Sequence, residues 1–197
     1  MLILTGVLNN DDYNVIKNMP SLENVDMSSI LNTTISASMF ENNRVIKEVK
    51  LPTQLTAIPE KLFYNSSIQV CAIPTQVSII GLLSFGSCTE LVGRLTLPSE
   101  LKTIGMNAFL NCSKLSGNLI LPGKVSSIGS LAFFGCNNIE KIYSKNPEPP
   151  TLGTSVFPNY NYLGVPVGAK VSYETAEGAE DKWSNFAAIQ EVDFSNF

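Results

Sequence analysis

Leu97-Pro98-Ser99-Glu100-Leu101-Lys102-Thr103-Ile104-Gly105-Met106-Asn107-Ala108-Phe109-Leu110-Asn111-Cys112-Ser113-Lys114-Leu115-Ser116-Gly117 is the stretch that decides the fold. Twenty-four residues later the same order returns as Leu121-Pro122, Val125, Ile128-Gly129, Ala132-Phe133, Cys136 and Ile139. Twenty-four residues earlier it reads Ile73-Pro74, Val77, Ile80-Gly81, Ser84-Phe85, Cys88, Leu91 and Gly93. A fixed period of this kind describes stacked supersecondary units, each too small to bury its own apolar face.

Three markers keep phase along the chain. Phenylalanine falls at 40, 63, 85, 109, 133 and 157; an apolar-Pro pair falls at 51–52, 73–74, 97–98 and 121–122. Isoleucine at 58, 80, 104 and 128 precedes its phenylalanine by five residues each time. Where a unit shortens, the loss lies between the phenylalanine and the next proline, so that segment contains a loop. Within a unit, Leu95-Thr-Leu97-Pro98 and Leu119-Ile-Leu121-Pro122 alternate as a strand and stop at a proline, which has no N–H for a ladder. Stacked at about 4.8 Å, such strands predict a parallel sheet along one flank. Leu101-x-x-Ile104-Gly105 predicts a second extended segment opposite, with the glycine suited to a turn of positive φ. Met106–Leu110 then reads as one short helical or 3₁₀ turn.

The ends read as caps. Leu2–Gly6 is a strand and turn; Asn10-Asp-Asp12 precedes a short helix around Tyr13–Met19, and Leu22–Met27 returns to strand. After Lys145-Asn-Pro147-Glu-Pro149-Pro150 the chain enters a last rung around Phe157, then an edge strand at Tyr162–Pro166. Ala169–Asp181 suggests a short helix. Trp183, Phe186, Ile189 and Val192 recur at an amphipathic spacing of three and predict a lid over the stack. The expected fold is a mostly β, α/β solenoid: a right-handed stack of about six units of 22 to 24 residues. It forms one domain, with caps at 1–30 and 167–197 around repeats at 31–166.

The combination of apolar-Pro, Ile-Gly, Ala-Phe and Cys in units of this length resembles the BspA-like branch of leucine-rich-repeat proteins. The Leu-Thr-Gly opening, Val165-Pro166, Tyr173 and Trp183-Ser-Asn-Phe186 are also similar to that family's flanking segments. The resemblance implies a secreted or cell-surface bacterial protein that adheres to host proteins or other cells, any leader lying outside this sequence. It carries over no catalytic residues. The chain departs from the pattern at Pro59, in place of glycine, and at Ser66, in place of cysteine, which predicts a distorted rung there.

Composition agrees with a non-enzymatic scaffold. The 197 residues contain no histidine, which removes His-dependent triads, metal sites and proton shuttles. Net charge is −4 without a basic run, against nucleic acid or an anionic membrane as partner. No apolar run approaches the roughly 18 residues of a spanning helix. No cofactor or metal is expected, and a monomer is.

Other constellations have structural readings. Cys88, Cys112 and Cys136 stack one rung apart; a redox or metal ladder is the alternative to a column of buried reduced thiols filling a turn. Cys71 aligns with Leu95 as core. Glu174, Glu177, Glu180 and Asp181 lack the order of a calcium loop and read as a solvated face. Asn10-Asp11-Asp12 reads as a helix cap. Asn32-Thr-Thr34, Asn65-Ser-Ser67 and Asn111-Cys-Ser113 match the glycosylation triplet.

The candidate binding residues come from the strand alternation. The middle position of Leu-x-Leu-Pro points away from the core, giving Asp26, Lys50, Ala72, Thr96, Ile120 and Tyr143 rung by rung. The position two earlier gives Asn24, Glu48, Val70, Arg94, Asn118 and Lys141. Of these, Arg94, Thr96, Asn118, Ile120, Lys141, Tyr143, Glu48 and Lys50 are the ligand-binding candidates, with Ile120 and Tyr143 as an apolar anchor beside Arg94 and Lys141. The expected partner is an extracellular protein or glycan. A spacer without a ligand, or a hydrolase with a carboxylate pair in a cleft, are the alternatives.

Overall fold

In the structure, a computed structural model that describes residues 1–176 and 182–197, the chain winds as a mostly β parallel solenoid of about eight turns. Strand β1 (Leu2–Gly6), helix α1 (Asn10–Lys17) and strand β2 (Asn24–Ile30) form the first turns. The helix starts three residues earlier than the sequence suggests: Asn9 is its cap, and Asn10, Asp11 and Asp12 form its first turn. The Asn9 side chain accepts from the Asp11 and Asp12 backbone N–H groups, and the Asp12 carboxylate accepts from Asn9 N–H, a closed capping box.

Every turn then carries the same inner file. Phe40, Phe63, Phe85, Phe109, Phe133 and Phe157 stack with ring centroids 5.1 to 6.1 Å apart. Four of the five contacts are within 7° of parallel, whereas Phe63–Phe85 opens to 27°. That tilt falls on the rung where Pro59 and Ser66 break the pattern. One hydrophobic cluster extends from Tyr13 to Ile189.

Two flanks differ. On one, β4 (Ala57–Ile58), β5 (Ile79–Ile80), β6 (Thr103–Ile104), β8 (Ser127–Ile128) and β10 (Thr151–Leu152) form an unbroken five-stranded parallel ladder. The glycines that follow these strands are not there for positive φ, as the sequence suggested. Gly81, Gly105 and Gly129 stack backbone on backbone. A Cβ on Gly105 would lie 2.8 Å from the Gly81 carbonyl carbon, and one on Gly129 would lie 2.4 Å from Met106 N.

Positive φ appears elsewhere, in two columns of mostly non-glycine residues. Ser38, Lys61, Leu83, Asn107, Leu131 and Ser155 stand two residues before each phenylalanine; Asn42, Asn65, Ser87, Asn111 and Gly135 stand two after the first five. This makes Met106–Leu110 a turn and not the short helix expected from its sequence. The hydrogen bonds explain the alternation. Asn107, Phe109 and Asn111 donate to the next rung (Ser130, Ala132 and Phe134 carbonyls, 2.7 to 2.9 Å), while Ala108, Leu110 and Cys112 donate three residues back. A backbone that must serve both directions on alternate residues cannot hold a uniform helical φ/ψ.

The other flank is divided. β1, β2 and β3 (Glu48–Lys50) form a three-stranded parallel sheet at the N-terminal end. β7 (Ser116–Leu121), β9 (Asn138–Ser144), β11 (Leu163–Pro166) and β12 (Ile189–Val192) form a four-stranded one at the C-terminal end. Between them the sheet expected to be continuous opens. Among the described residues the isolated bridges Glu48↔Val70 and Gly93↔Leu115 remain there, with a hydrogen bond from Val92 N–H to the Gln69 carbonyl (3.1 Å), and Leu95–Leu97, read above as a strand, is not one.

Register accounts for part of the opening. After Gly93↔Leu115, four residues (94–97) lead to Pro98, but six (116–121) lead to Pro122. Segments of unequal length between matched ends cannot ladder. β7 keeps its pairing to β9, with an irregularity between Gly117 and Leu119. Residues 94–97 are left unpaired.

The C-terminal lid is made of a turn and a strand. Trp183–Asn185 is a 3₁₀ turn, and Ile189–Val192 is the strand β12, laid parallel on β11. β11 is therefore internal to its sheet, not the edge. A second helix, α2 (Lys170–Thr175), buries Tyr173. Its hydroxyl donates to the Asn146 carbonyl (2.7 Å) and shares a hydrogen bond with Ser144 Oγ (2.7 Å). Trp183 Nε1 donates to the Pro150 carbonyl (2.7 Å). Glu174 forms an i,i+4 ion pair with Lys170 at 3.6 Å; Glu177, Glu180 and Asp181 lie outside the described residues.

Candidate binding face

The divided flank carries the eight candidate residues, but in three separate places. At the N-terminal end, Glu48 and Lys50 border a hollow of about 180 Å³ with Asn24 and Asp26. Lys50 Nζ lies 3.0 Å from Asp26 Oδ2. The Asp26 carboxyl is held at a pKa of about 2, first by the Ser28 hydroxyl and backbone N–H and then by Lys50. This ion pair is at the surface, so it contributes little to stability.

In the middle, Arg94, Thr96 and Ile120 line the opening in the sheet. One cavity of about 290 Å³ lies between the rungs at 70–73 and 92–96, with Phe85 and Phe109 among its walls. A second, of about 360 Å³, lies between 94–97 and 120–123 and includes Lys145. Arg94 and Thr96 border both. Because the strands part here, side chains that are sealed on neighbouring rungs are not sealed on these. Leu51, Leu119 and Leu121 are buried, while Cys71, Ile73, Leu95 and Leu97 are half-buried. Cys71 is thus a wall of the opening as well as core. Asn118, at the irregular point of β7, keeps its Oδ1 buried without a hydrogen-bond partner.

At the C-terminal end, Lys141 is exposed and its Nζ sits 4.9 Å above the Tyr162 ring. Tyr143 is not the exposed anchor its alternation suggested. It pairs with Ile120 across β7 and β9, yet it is only 7% exposed. The rings of Tyr162, Phe194 and Phe197 lie 5.1 to 6.3 Å from it, because the 3₁₀ turn Phe194–Asn196 folds back over this face. The alternation is obeyed; the covering comes from a segment some fifty residues later in the chain. The expected pair of apolar anchors is thereby reduced to Ile120.

The cysteine column is structural in its geometry. The Cys88, Cys112 and Cys136 thiols each donate to the carbonyl of a phenylalanine one rung below (Phe63, Phe85 and Phe109; 2.9, 3.0 and 3.1 Å). Burial pushes the Cys88 thiol up to about 11 and Cys112 well above its ordinary range. Such thiols are protonated donors, not nucleophiles. The Ser66 hydroxyl takes the same place, 3.7 Å from Cys88 Sγ. Among the described residues, no group of three or more His, Cys, Asp or Glu is placed to hold a metal ion, and no helix is long and apolar enough to cross a membrane.

Stacked parallel rungs with an inner phenylalanine file and a strand-bearing flank define a leucine-rich-repeat solenoid. The chain belongs to the BspA type leucine rich repeat family: six copies of that family's repeat region match, over residues 12–140 and 92–166. The fold is similar to that of the crystal structure of the T. pallidum leucine rich repeat protein. The TM-score is 0.57 at 20% identity, covering 79% of this chain and 85% of that one. No curated protein matches the chain.

Proposed function

We propose that this chain is a non-enzymatic binding scaffold of a bacterial cell-surface or secreted adhesin, taking an extracellular protein or glycan through its strand-bearing flank. Family membership supports the scaffold role, since repeat stacks of this kind present a surface for protein binding. The observation that carries the reading is the exposure of Arg94, Thr96 and Lys141 on the strand-bearing flank, beside the partly exposed Ile120. Lys141, held over the Tyr162 ring, is ordered before contact and loses little entropy on docking.

The test is a panel of extracellular-matrix proteins and a glycan array probed with the wild-type chain and with Arg94→Glu/Lys141→Glu. Both side chains are exposed, so the melting temperature stays put while binding falls by tenfold or more. Equal binding by the double variant removes this flank from consideration. The competing role, a ligand-free spacer, is favoured by the burial of Tyr143 beneath the C-terminal turn, and it predicts that nothing in the panel is retained.

A further inference from the structure

We propose that the opening in the strand-bearing sheet is a docking groove for an extended, largely apolar peptide segment carrying one carboxylate. The segment pairs its backbone with the exposed edges and sets its acid on Arg94. The inference rests on the reading that this flank is the binding flank, and it specifies the partner.

Unpaired backbone is the first argument. The N–H and C=O groups of Arg94, Leu95, Thr96 and Leu97 make no hydrogen bond within the described residues, nor do those of Ile73. Elsewhere in the stack such groups ladder from rung to rung, as do Phe85 N–H to Ala108 (2.8 Å) and Gly105 N–H to Ile80 (2.8 Å). A row of free donors and acceptors at a strand edge is complementary to another extended backbone and to little else. Four residues at about 3.3 Å each give an edge about 13 Å long, enough for a short strand.

The walls give the second argument. Val70, Ile73, Leu95, Leu97 and Ile120 line the two cavities, with Phe85 at one wall, so alternate side chains of a bound strand meet apolar surface. Val70 is 52% exposed, so its side chain is open to contact from a bound strand.

Charge is the third. Arg94 borders both cavities and has no ion pair or hydrogen bond among the described residues, and Lys145 lines the second cavity. No aspartate or glutamate lines either. The planar guanidinium takes a carboxylate bidentately, which fixes both the direction and the register of an inserted strand.

The probe is a fluorescein-labelled heptapeptide, Thr-Val-Thr-Val-Thr-Val-Glu with an amidated C-terminus, titrated by anisotropy against the full chain. Amide hydrogen exchange is followed in parallel. In the free protein, amides 94–97 exchange at least a hundredfold faster than those of β7 and β9, and they slow by tenfold or more when peptide is bound. N-methylating alternate peptide amides weakens binding at least tenfold. Replacing the peptide's Glu by Gln weakens it as much as Arg94→Gln does, and the two losses do not add.

Equal binding by the N-methylated peptide overturns the proposal, as does protection of amides 94–97 in the free chain. So does protection that rises with protein concentration alone, which would make a second copy of the chain the occupant. Matrix-protein binding lost in Arg94→Glu/Lys141→Glu while the peptide fails leaves the flank standing without the groove. Peptide binding as described, with an empty panel, keeps the groove and removes the adhesin reading.

Discussion

The ring of Phe197 lies 5.1 Å from that of Tyr143, and Lys145 Nζ sits 5.9 Å above the same Phe197 ring and 3.5 Å from its backbone oxygen. The end of the described chain is therefore fastened to the strand-bearing flank at two points at once, by Tyr143 of β9 and by Lys145 just beyond that strand. Removing residues 194–197 uncovers Tyr143. Tetranitromethane then nitrates Tyr143 in the shortened chain and spares it in the intact one, as read by peptide mapping. Equal modification of both forms contradicts the burial.

Gly105→Ala tests the glycine column. The new methyl group meets the Gly81 carbonyl carbon and Leu82 N at 2.8 Å, both backbone atoms that cannot swing aside. The expected loss is about 1–3 kcal/mol in urea unfolding. Because φ at this position is not positive, the cost is steric; Gly117→Ala, at φ +75 with open space around it, isolates the conformational cost instead. A Gly105→Ala protein as stable as wild type means the two flanks are equally loose.

Phe109→Ala removes one member of the inner file. Its ring is fully buried between Phe85 and Phe133, so the loss is about 3–5 kcal/mol from transfer and cavity together. Phe134, one residue beyond the next member and 48% exposed, supplies the contrast: its alanine variant changes stability by less than about 0.5 kcal/mol. Similar losses for the two variants show that the file is not the core.

The thiol column predicts a weakness to alkali. Burial raises the folded pKa of Cys88 to about 11, above the 9.0 of a free thiol. The unfolded chain therefore releases this proton first. The stabilisation is fully present below pH 9 and is lost as pH rises from 9 through 11. Cys88→Ser places a hydroxyl where Ser66 already shows one is accepted, and it removes this part of the slope from a plot of unfolding free energy against pH. An unchanged slope assigns the alkaline loss to other groups.

Much of this was legible from residue spacing, and the rest was not, for definite reasons. The Phe and Ile columns follow from a period that each rung repeats, because stacking like upon like leaves one geometry. The opening in the sheet is invisible to that logic. Part of it arises from a two-residue difference in local register between Gly93 and Leu115, inside units whose overall length is the same. Tyr143 fails for another reason: alternation says which way a side chain points, and a distant segment decides whether anything lies on top of it. Gly81, Gly105 and Gly129 were correctly placed at a turn but for the wrong cause, since a stacked backbone and a left-handed turn leave the same mark in a sequence.

The direct backbone contact along Gly81, Gly105 and Gly129 has a mechanical consequence. With no side chain to act as a spacer, that flank already stands at its closest approach and cannot compress, whereas the opposite flank has parted at 94–97. The stack is thus bound like a book, stitched along one margin. Whatever pushes between its leaves spreads them at the free margin while the stitching holds.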